Sequence, residues 1–122
     1  MKYINPLIQN VALDYIRNNT DVMHICDSAP TGYEELLLCS LGSTTMSISN
    51  FSITKTGITS GRRVSVLDTE LTADSSGNVL YAAIADSSES ELFYVAEINT
   101  VSIIASSIYE IKEWDIEFRD PV

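Results

Sequence analysis

The spacing of apolar residues changes once along this chain, and that change restricts the fold more than any other feature. Before residue 21, apolar residues recur at the three- to four-residue spacing of an α-helix. From Asp21 onward they alternate with polar residues or form short runs, as in strands covered on one face or on both. The pattern therefore predicts a mostly β protein with one N-terminal α-helix.

The N-terminal helix is predicted over residues 5–18. Asn5 is a good N-cap, and Pro6 suits the first helical position, where its missing N–H has no intrahelical partner to lose. One side of this helix is apolar and is expected to pack on an open end or face of the sheet, with packing on a neighbouring molecule left open: Leu7, Ile8, Val11, Ala12, Tyr15 and Ile16. The polar residues on its other side are Gln9, Asn10, Asp14 and Arg17.

About eight short strands are predicted over residues 21–119, with no second helix. Leu36–Leu41 is apolar at nearly every position, which indicates a strand covered on both faces. Met46–Thr54 alternates apolar and polar residues, as a half-buried strand does. Closely spaced strands separated by turns are typical of a β-sandwich or jelly-roll-like barrel. The 122 residues suffice for one domain, 1–122.

The net charge of −10, from seven basic and seventeen acidic residues, repels phosphate backbones and argues against nucleic-acid binding. No run of about 18 apolar residues is present, so no membrane span is predicted. The first residues lack a long apolar stretch before a cleavage site. We therefore expect the chain to fold in a cytoplasm.

Patterns that would support catalysis or metal binding are weak. His24 is the only histidine, and neither His-x-x-x-His nor Cys-x-x-Cys occurs. Cys26 and Cys39 lie in apolar segments and are predicted to be buried free thiols, with a disulfide between neighbouring strands left open. Turns explain the acidic clusters. The sequence predicts no enzyme, no cofactor, no metal and no small-molecule substrate.

The predicted partner-binding residues begin with a small basic group. Lys55, Arg62 and Arg63 flank one loop and supply three of the seven positive charges, which suits contact with an acidic patch on a partner. Ordinary solvated charges are the alternative. Tyr3 and Ile4, ahead of the helix, complete the predicted set. Most aromatic residues of the C-terminal half are expected in the core: Tyr81, Phe93, Tyr94, Tyr109, Trp114 and Phe118.

The order of these segments resembles a group of small bacteriophage virion proteins. Their pattern begins with an amphipathic helix, then an L-x-I-Y-x-G-x-x-P strand and loop, and an LLAxLxL strand. A GTAxxFRLVDSxG hairpin and a closing I-x-x-G-x-x-V-x-I-x-x-W/F strand follow. The matching segments here are residues 6–17, 22–30, 36–41, 77–88 and 106–118. The hairpin lacks the FRL core, and Ser106-Ser107 replaces the final glycine.

The resemblance implies a virion structural protein of the capsid decoration or cement type. Such a protein binds the major capsid protein and copies of itself, with a trimer as one arrangement, and stabilises the head. It is made in the host cytoplasm and resides on the capsid surface. A head–tail connector or tail structural protein, and a carbohydrate-binding β-sandwich module, remain as alternatives.

Overall fold

Nine strands and two α-helices make up the described part of the chain, residues 2–122 of the computed structural model. The helices are α1 (Pro6–Asn19) and α2 (Tyr33–Cys39), and one turn of 3-10 helix covers Ile48–Asn50. The strands are β1 (Val22–Cys26), β2 (Ser40–Thr45), β3 (Lys55–Thr56), β4 (Arg62–Val66), β5 (Thr69–Ala73), β6 (Gly77–Asp86), β7 (Glu91–Ile103), β8 (Ile108–Ile111) and β9 (Trp114–Phe118).

The strands form two antiparallel sheets. The larger sheet is curled and has the order β7-β6-β1-β2-β5-β8, and the smaller sheet has the order β3-β4-β9. The prediction of a mostly β protein with an N-terminal helix is confirmed. The helix runs from residue 6 to 19 rather than from 5 to 18, and there are nine strands where about eight were expected.

The larger sheet is covered on both faces. On one face, residues such as Ile25 and Ile84 pack against Val64 and Ile116 of the smaller sheet and against Leu13 of α1. On the opposite face, Leu36 and Cys39 of α2 cover a second cluster: Cys26, Ala83 and Ala85. The alternation along each strand therefore serves two cores, one on each side of the sheet.

The predicted strand over Leu36–Leu41 is wrong, and with it the absence of a second helix. Residues 33–39 form α2, and β2 begins only at Ser40. Leucines are good helix formers, and Glu34 and Glu35 are acidic residues in the first turn, where the helix dipole favours them. Leu36 and Cys39, three residues apart, are buried against the sheet with Tyr33 partly buried beside them, while Leu37 and Leu38 are exposed. A short apolar run does not distinguish a strand from a helix.

The predicted strand over Met46–Thr54 is also wrong. Ile48–Asn50 is a 3-10 turn, and Phe51 makes only an isolated bridge with Val66. The polar residues of this segment bond locally, since Asn50 Oδ1 accepts from the Ser47 backbone N–H at 2.8 Å. Such local bonds compete with a sheet ladder, so the alternating pattern here does not produce a strand.

Helix α1 packs on a different side from the one predicted. Leu13, Ile16 and the polar Gln9 are buried against the sheets. Four apolar residues expected in the core, which we call the α1 outer face, are exposed instead: Leu7 (67 %), Ile8 (59 %), Val11 (67 %) and Tyr15 (52 %). Gln9 is tolerated inside because its Nε2 donates to the Phe118 carbonyl at 3.2 Å and to an Asp120 carboxylate oxygen at 3.3 Å.

Candidate interaction surface

The three predicted basic residues lie on the smaller sheet, but they do not form one patch. In the antiparallel register of β3 and β4, Lys55 pairs with Arg63 and Thr56 pairs with Arg62. Side chains on a strand alternate between the two faces of the sheet. Lys55 and Arg63 therefore stand side by side on the outer face, whereas Arg62 is on the face that meets α1.

Arg63 is held by bonds within the sheet. Its Nη1 lies 3.1 Å from an Asp115 carboxylate oxygen, and its Nε donates to the Thr56 carbonyl at 3.0 Å. Ser65 Oγ donates to the second oxygen of the same Asp115 carboxylate. The charge of Arg63 is thus neutralised by the adjacent Asp115 carboxylate, and its guanidinium is fixed in position on the outer face.

Arg62 and Lys55 differ in their contacts. Arg62 Nε donates to Asn10 Oδ1 of α1 at 2.8 Å, so this side chain ties the helix to the smaller sheet. The Lys55 ammonium makes no hydrogen bond or ion pair with residues 2–122 as described. Of the three predicted basic residues, Lys55 is therefore the one that can bind a partner without first breaking a hydrogen bond or ion pair.

The loop between β3 and β4, residues 57–61, is held rigidly against β9. Glu117 Oε1 accepts from the Thr59 backbone N–H at 2.8 Å, and this bond lowers the pKa of the Glu117 carboxyl. The Gly57 N–H donates to the Gly61 carbonyl at 2.9 Å. Gly61 has φ +68°, and a Cβ there would sit 1.9 Å from the Phe118 carbonyl oxygen, so this position requires glycine.

Apolar side chains project from the same region. Ile58 in the loop and Ile53 just before β3 are 72 % and 74 % exposed. We define the basic face as these two isoleucines with two cations of the smaller sheet and one that directly follows β9: Ile53, Ile58, Lys55, Arg63 and Arg119. Arg119 joins it because its Nε lies 3.3 Å from Glu117 Oε2. Ile58 is not among the residues predicted to bind a partner, although an apolar residue inside the polar loop 55–61 is a visible sequence signal.

Charge is distributed unevenly over the molecule. Five of the seven basic residues lie on the smaller sheet or at the adjoining chain ends: Lys2, Lys55, Arg62, Arg63 and Arg119. Only three carboxylates share that region: Asp115, Glu117 and Asp120. The other fourteen carboxylates lie elsewhere with Arg17 and Lys112. Within residues 2–122, the smaller sheet and the adjoining chain ends therefore form a positive region on a strongly acidic domain.

Tyr3 and Ile4 lie beside the basic face and not within it. Tyr3 is exposed and Ile4 is partly buried. They line a shallow depression with Lys2, Pro6 and the C-terminal residues Asp120 and Pro121. The Asp120 backbone N–H donates to Ser60 Oγ at 3.0 Å, which connects this depression to the loop 57–61.

The histidine and the two cysteines lie on the face of the larger sheet that α2 covers. Burial lowers the pKa of His24, against an opposing effect of Asp74, and its Nδ1 lies 2.7 Å from Ser40 Oγ. Burial likewise raises the pKa of the Cys26 thiol. Both cysteines are free and buried, as predicted. Within residues 2–122, no three His, Cys, Asp or Glu side chains are grouped so as to hold a metal ion.

The aromatic residues of the C-terminal half are packed on the core, as predicted. Tyr94 and Trp114 stack with ring centres 5.8 Å apart, and Tyr81 adjoins the cluster under α2. In the described part of the chain, neither helix has the length and apolar character needed to cross a membrane. Comparison with protein-family models, with curated proteins and with solved structures finds no match to this chain.

Proposed function

We propose that this chain is a bacteriophage virion structural protein of the capsid decoration or cement type. In this proposal it binds the major capsid protein on the outside of the head and stabilises the shell. The observation that carries the proposal is the basic face, a rigid, positively charged surface with exposed isoleucines on an otherwise acidic domain. The proposal also rests on the resemblance of the sequence pattern to small virion proteins.

The basic face has the composition of a protein–protein contact. Arginines and apolar side chains are enriched at the centres of such interfaces. On the basic face, Arg63 pairs with Lys55 across the two strands, and the exposed Ile53 precedes Lys55 by two residues. The loop that carries Ile58 is already fixed by Glu117 and by Gly61. Little conformational entropy is therefore lost when a partner binds there.

The charge distribution selects one orientation on the shell. The basic face suits an acidic patch of the capsid subunit, and such complementarity speeds association and suppresses wrong orientations. Most of the fourteen carboxylates elsewhere are exposed to solvent and keep bound copies soluble. Because many copies bind to one shell, the affinity of each contact can be weak and the copies together still stabilise the shell. The proposed location is the virion surface, after synthesis in the host cytoplasm.

The alternative functions differ in the surface that they would use. A connector or tail structural protein would use the basic face on a different virion component. A carbohydrate-binding module would need exposed aromatic rings, but Trp114 and Tyr94 stack on each other against the core. Trp114 and Tyr94 therefore serve packing, and neither of them presents a free ring for sugar stacking.

The test is binding to empty expanded shells, measured by co-sedimentation. Lys55→Glu combined with Ile58→Asp removes a free cation and an exposed apolar contact while leaving the bonds of Arg62 and Arg63 intact. The matched control, Lys112→Glu with Ile104→Asp, makes the same changes at exposed positions outside the basic face.

We expect saturable binding of the natural protein, at least a tenfold weaker affinity for the Lys55/Ile58 variant, and less than twofold change for the control. The melting temperatures of both variants should match that of the natural protein. Absence of binding by the natural protein, or equal binding by the Lys55/Ile58 variant, would refute the proposal. Binding to tails or connectors instead of shells would assign the protein to that component.

A further inference from the structure

The α1 outer face is an apolar ridge with no partner within the described chain. Leu7, Val11 and Tyr15 follow one another at four-residue intervals, and Ile8 lies beside them. The residues that anchor the helix, Leu13 and Ile16, point the other way, into the core. A regular row at this spacing is the kind of ridge with which two helices pack against each other.

We propose that a second copy of this chain covers the α1 outer face, with the two α1 helices antiparallel about a twofold axis at Val11. The ridge is symmetric about that residue, because Leu7 precedes Val11 by one ridge step and Tyr15 follows it by one. A twofold interface needs such self-complementarity. Val11 then contacts Val11 of the other copy, and Leu7 of each copy contacts Tyr15 of the other.

The charges at the two ends of α1 select the antiparallel arrangement. Lys2 lies at the N-terminal end, and Arg62 is bonded to Asn10 in the first half of the helix. The C-terminal end lies beside the turn between β6 and β7, residues 87–90, where Glu89 and the adjoining Glu91 are exposed carboxylates. An antiparallel pair places the basic end of each copy beside the acidic end of the other, whereas a parallel pair places like charges together.

The acidic turn is held in place next to the helix. The Asp21 carboxylate, just after α1, accepts from the Ser87 backbone N–H at 2.8 Å and from Ser87 Oγ at 2.7 Å. Tyr15 also packs edge-on against Phe93 of β7, with ring centres 5.6 Å apart. The ridge and the charges at its C-terminal end therefore form one preformed surface.

The size of the ridge indicates a weak, reversible dimer. Four side chains of this size offer on the order of 400 Å² per copy, about half of the ~800 Å² per partner of a stable specific interface. Two copies of net charge −10 also repel each other. We expect dissociation constants in the micromolar range, roughly 10–500 μM.

A cysteine cross-linking experiment tests the arrangement. The single variants Leu7→Cys, Val11→Cys and Tyr15→Cys are treated with a short bismaleimide, which joins two exposed thiols, while the natural Cys26 and Cys39 are buried. We expect Val11→Cys to cross-link to itself, and Leu7→Cys to cross-link only when mixed with Tyr15→Cys. Self-linking of Leu7→Cys and of Tyr15→Cys, without cross-linking in the mixture, would show a parallel pair and overturn the proposal.

Sedimentation equilibrium supplies the second test. The natural protein should shift from monomer to dimer as its concentration rises, and Val11→Asp should raise the dissociation constant at least tenfold because the twofold axis brings two such carboxylates together. Ile104→Asp, equally exposed but at the end of β7, is the control and should leave it unchanged. A natural protein that stays monomeric up to about 1 mM, or that forms trimers, would overturn the proposal.

Dimerisation is independent of the proposed shell binding, because the α1 outer face and the basic face share no residue. The Lys55→Glu/Ile58→Asp variant should dimerise like the natural protein, and Val11→Asp should still bind shells as a monomer. Failure of one proposal is therefore recognised without affecting the other. Melting curves confirm that each variant is folded.

Discussion

Which side of α1 packs on the sheets can be decided by two alanine substitutions, Leu13→Ala and Val11→Ala. Leu13 has 0 % of its surface exposed and belongs to the core between the two sheets, whereas Val11 belongs to the α1 outer face. The sequence pattern predicted the opposite for Val11. The two substitutions lie two residues apart on one helix and differ by only a few tenths of a kcal/mol in helix propensity, so a larger difference between them reports on packing.

The expected magnitudes follow from burial. Removing a fully buried leucine side chain loses its transfer free energy and leaves a cavity, which together cost about 3 kcal/mol, within a range of roughly 2–5. Val11→Ala exposes little new surface and replaces a β-branched residue by the best helix former, so the change lies within about 0.5 kcal/mol of zero. For a chain of 122 residues, 1 kcal/mol shifts the melting temperature by about 4 °C. Leu13→Ala should therefore lower the melting temperature by roughly 12 °C, and Val11→Ala should change it by about 2 °C at most.

Urea unfolding followed by circular dichroism measures both values. The protein is kept at low micromolar concentration, so that dimerisation contributes little to stability. An unchanged slope with a lower midpoint shows that the native state has lost stability. If Val11→Ala destabilises the protein as much as Leu13→Ala does, α1 packs through its outer face and the structural reasoning is wrong.

Two further predictions concern titrating groups. The pKa of Glu117 is lowered by the Thr59 N–H bond, so the stability it contributes is present above its ordinary pKa of 4.5 and is lost as the pH falls through the lower folded value. The Thr59 amide resonance should titrate with a midpoint below 4.5, and a midpoint at or above 4.5 would contradict this. Since burial raises the pKa of Cys26, a thiol reagent should leave the native protein unlabelled at pH 8 and label both cysteines after unfolding, and rapid native labelling would contradict this.

The basic face shows how much of a candidate binding surface can be predicted from the sequence. Lys55, Arg62 and Arg63 were identified from their rarity in an acidic chain, and the structure does bring them to one small sheet. Their different contacts depend on residues that are distant in the sequence: Arg62 bonds to Asn10 of α1, and Arg63 pairs with Asp115, while Lys55 has no such partner within residues 2–122. No local pattern contains that information.

The sequence alone specifies the class of the fold, because the three- to four-residue and two-residue periods follow locally from how helices and strands present their side chains. It also determined the N-terminal helix and the burial of both cysteines. Tertiary structure decided which side of α1 is inside, since Gln9 can be buried only where the distant Phe118 and Asp120 accept its amide protons. It likewise made a helix of Tyr33–Cys39, because an apolar run suits either structure until the surface it covers is present.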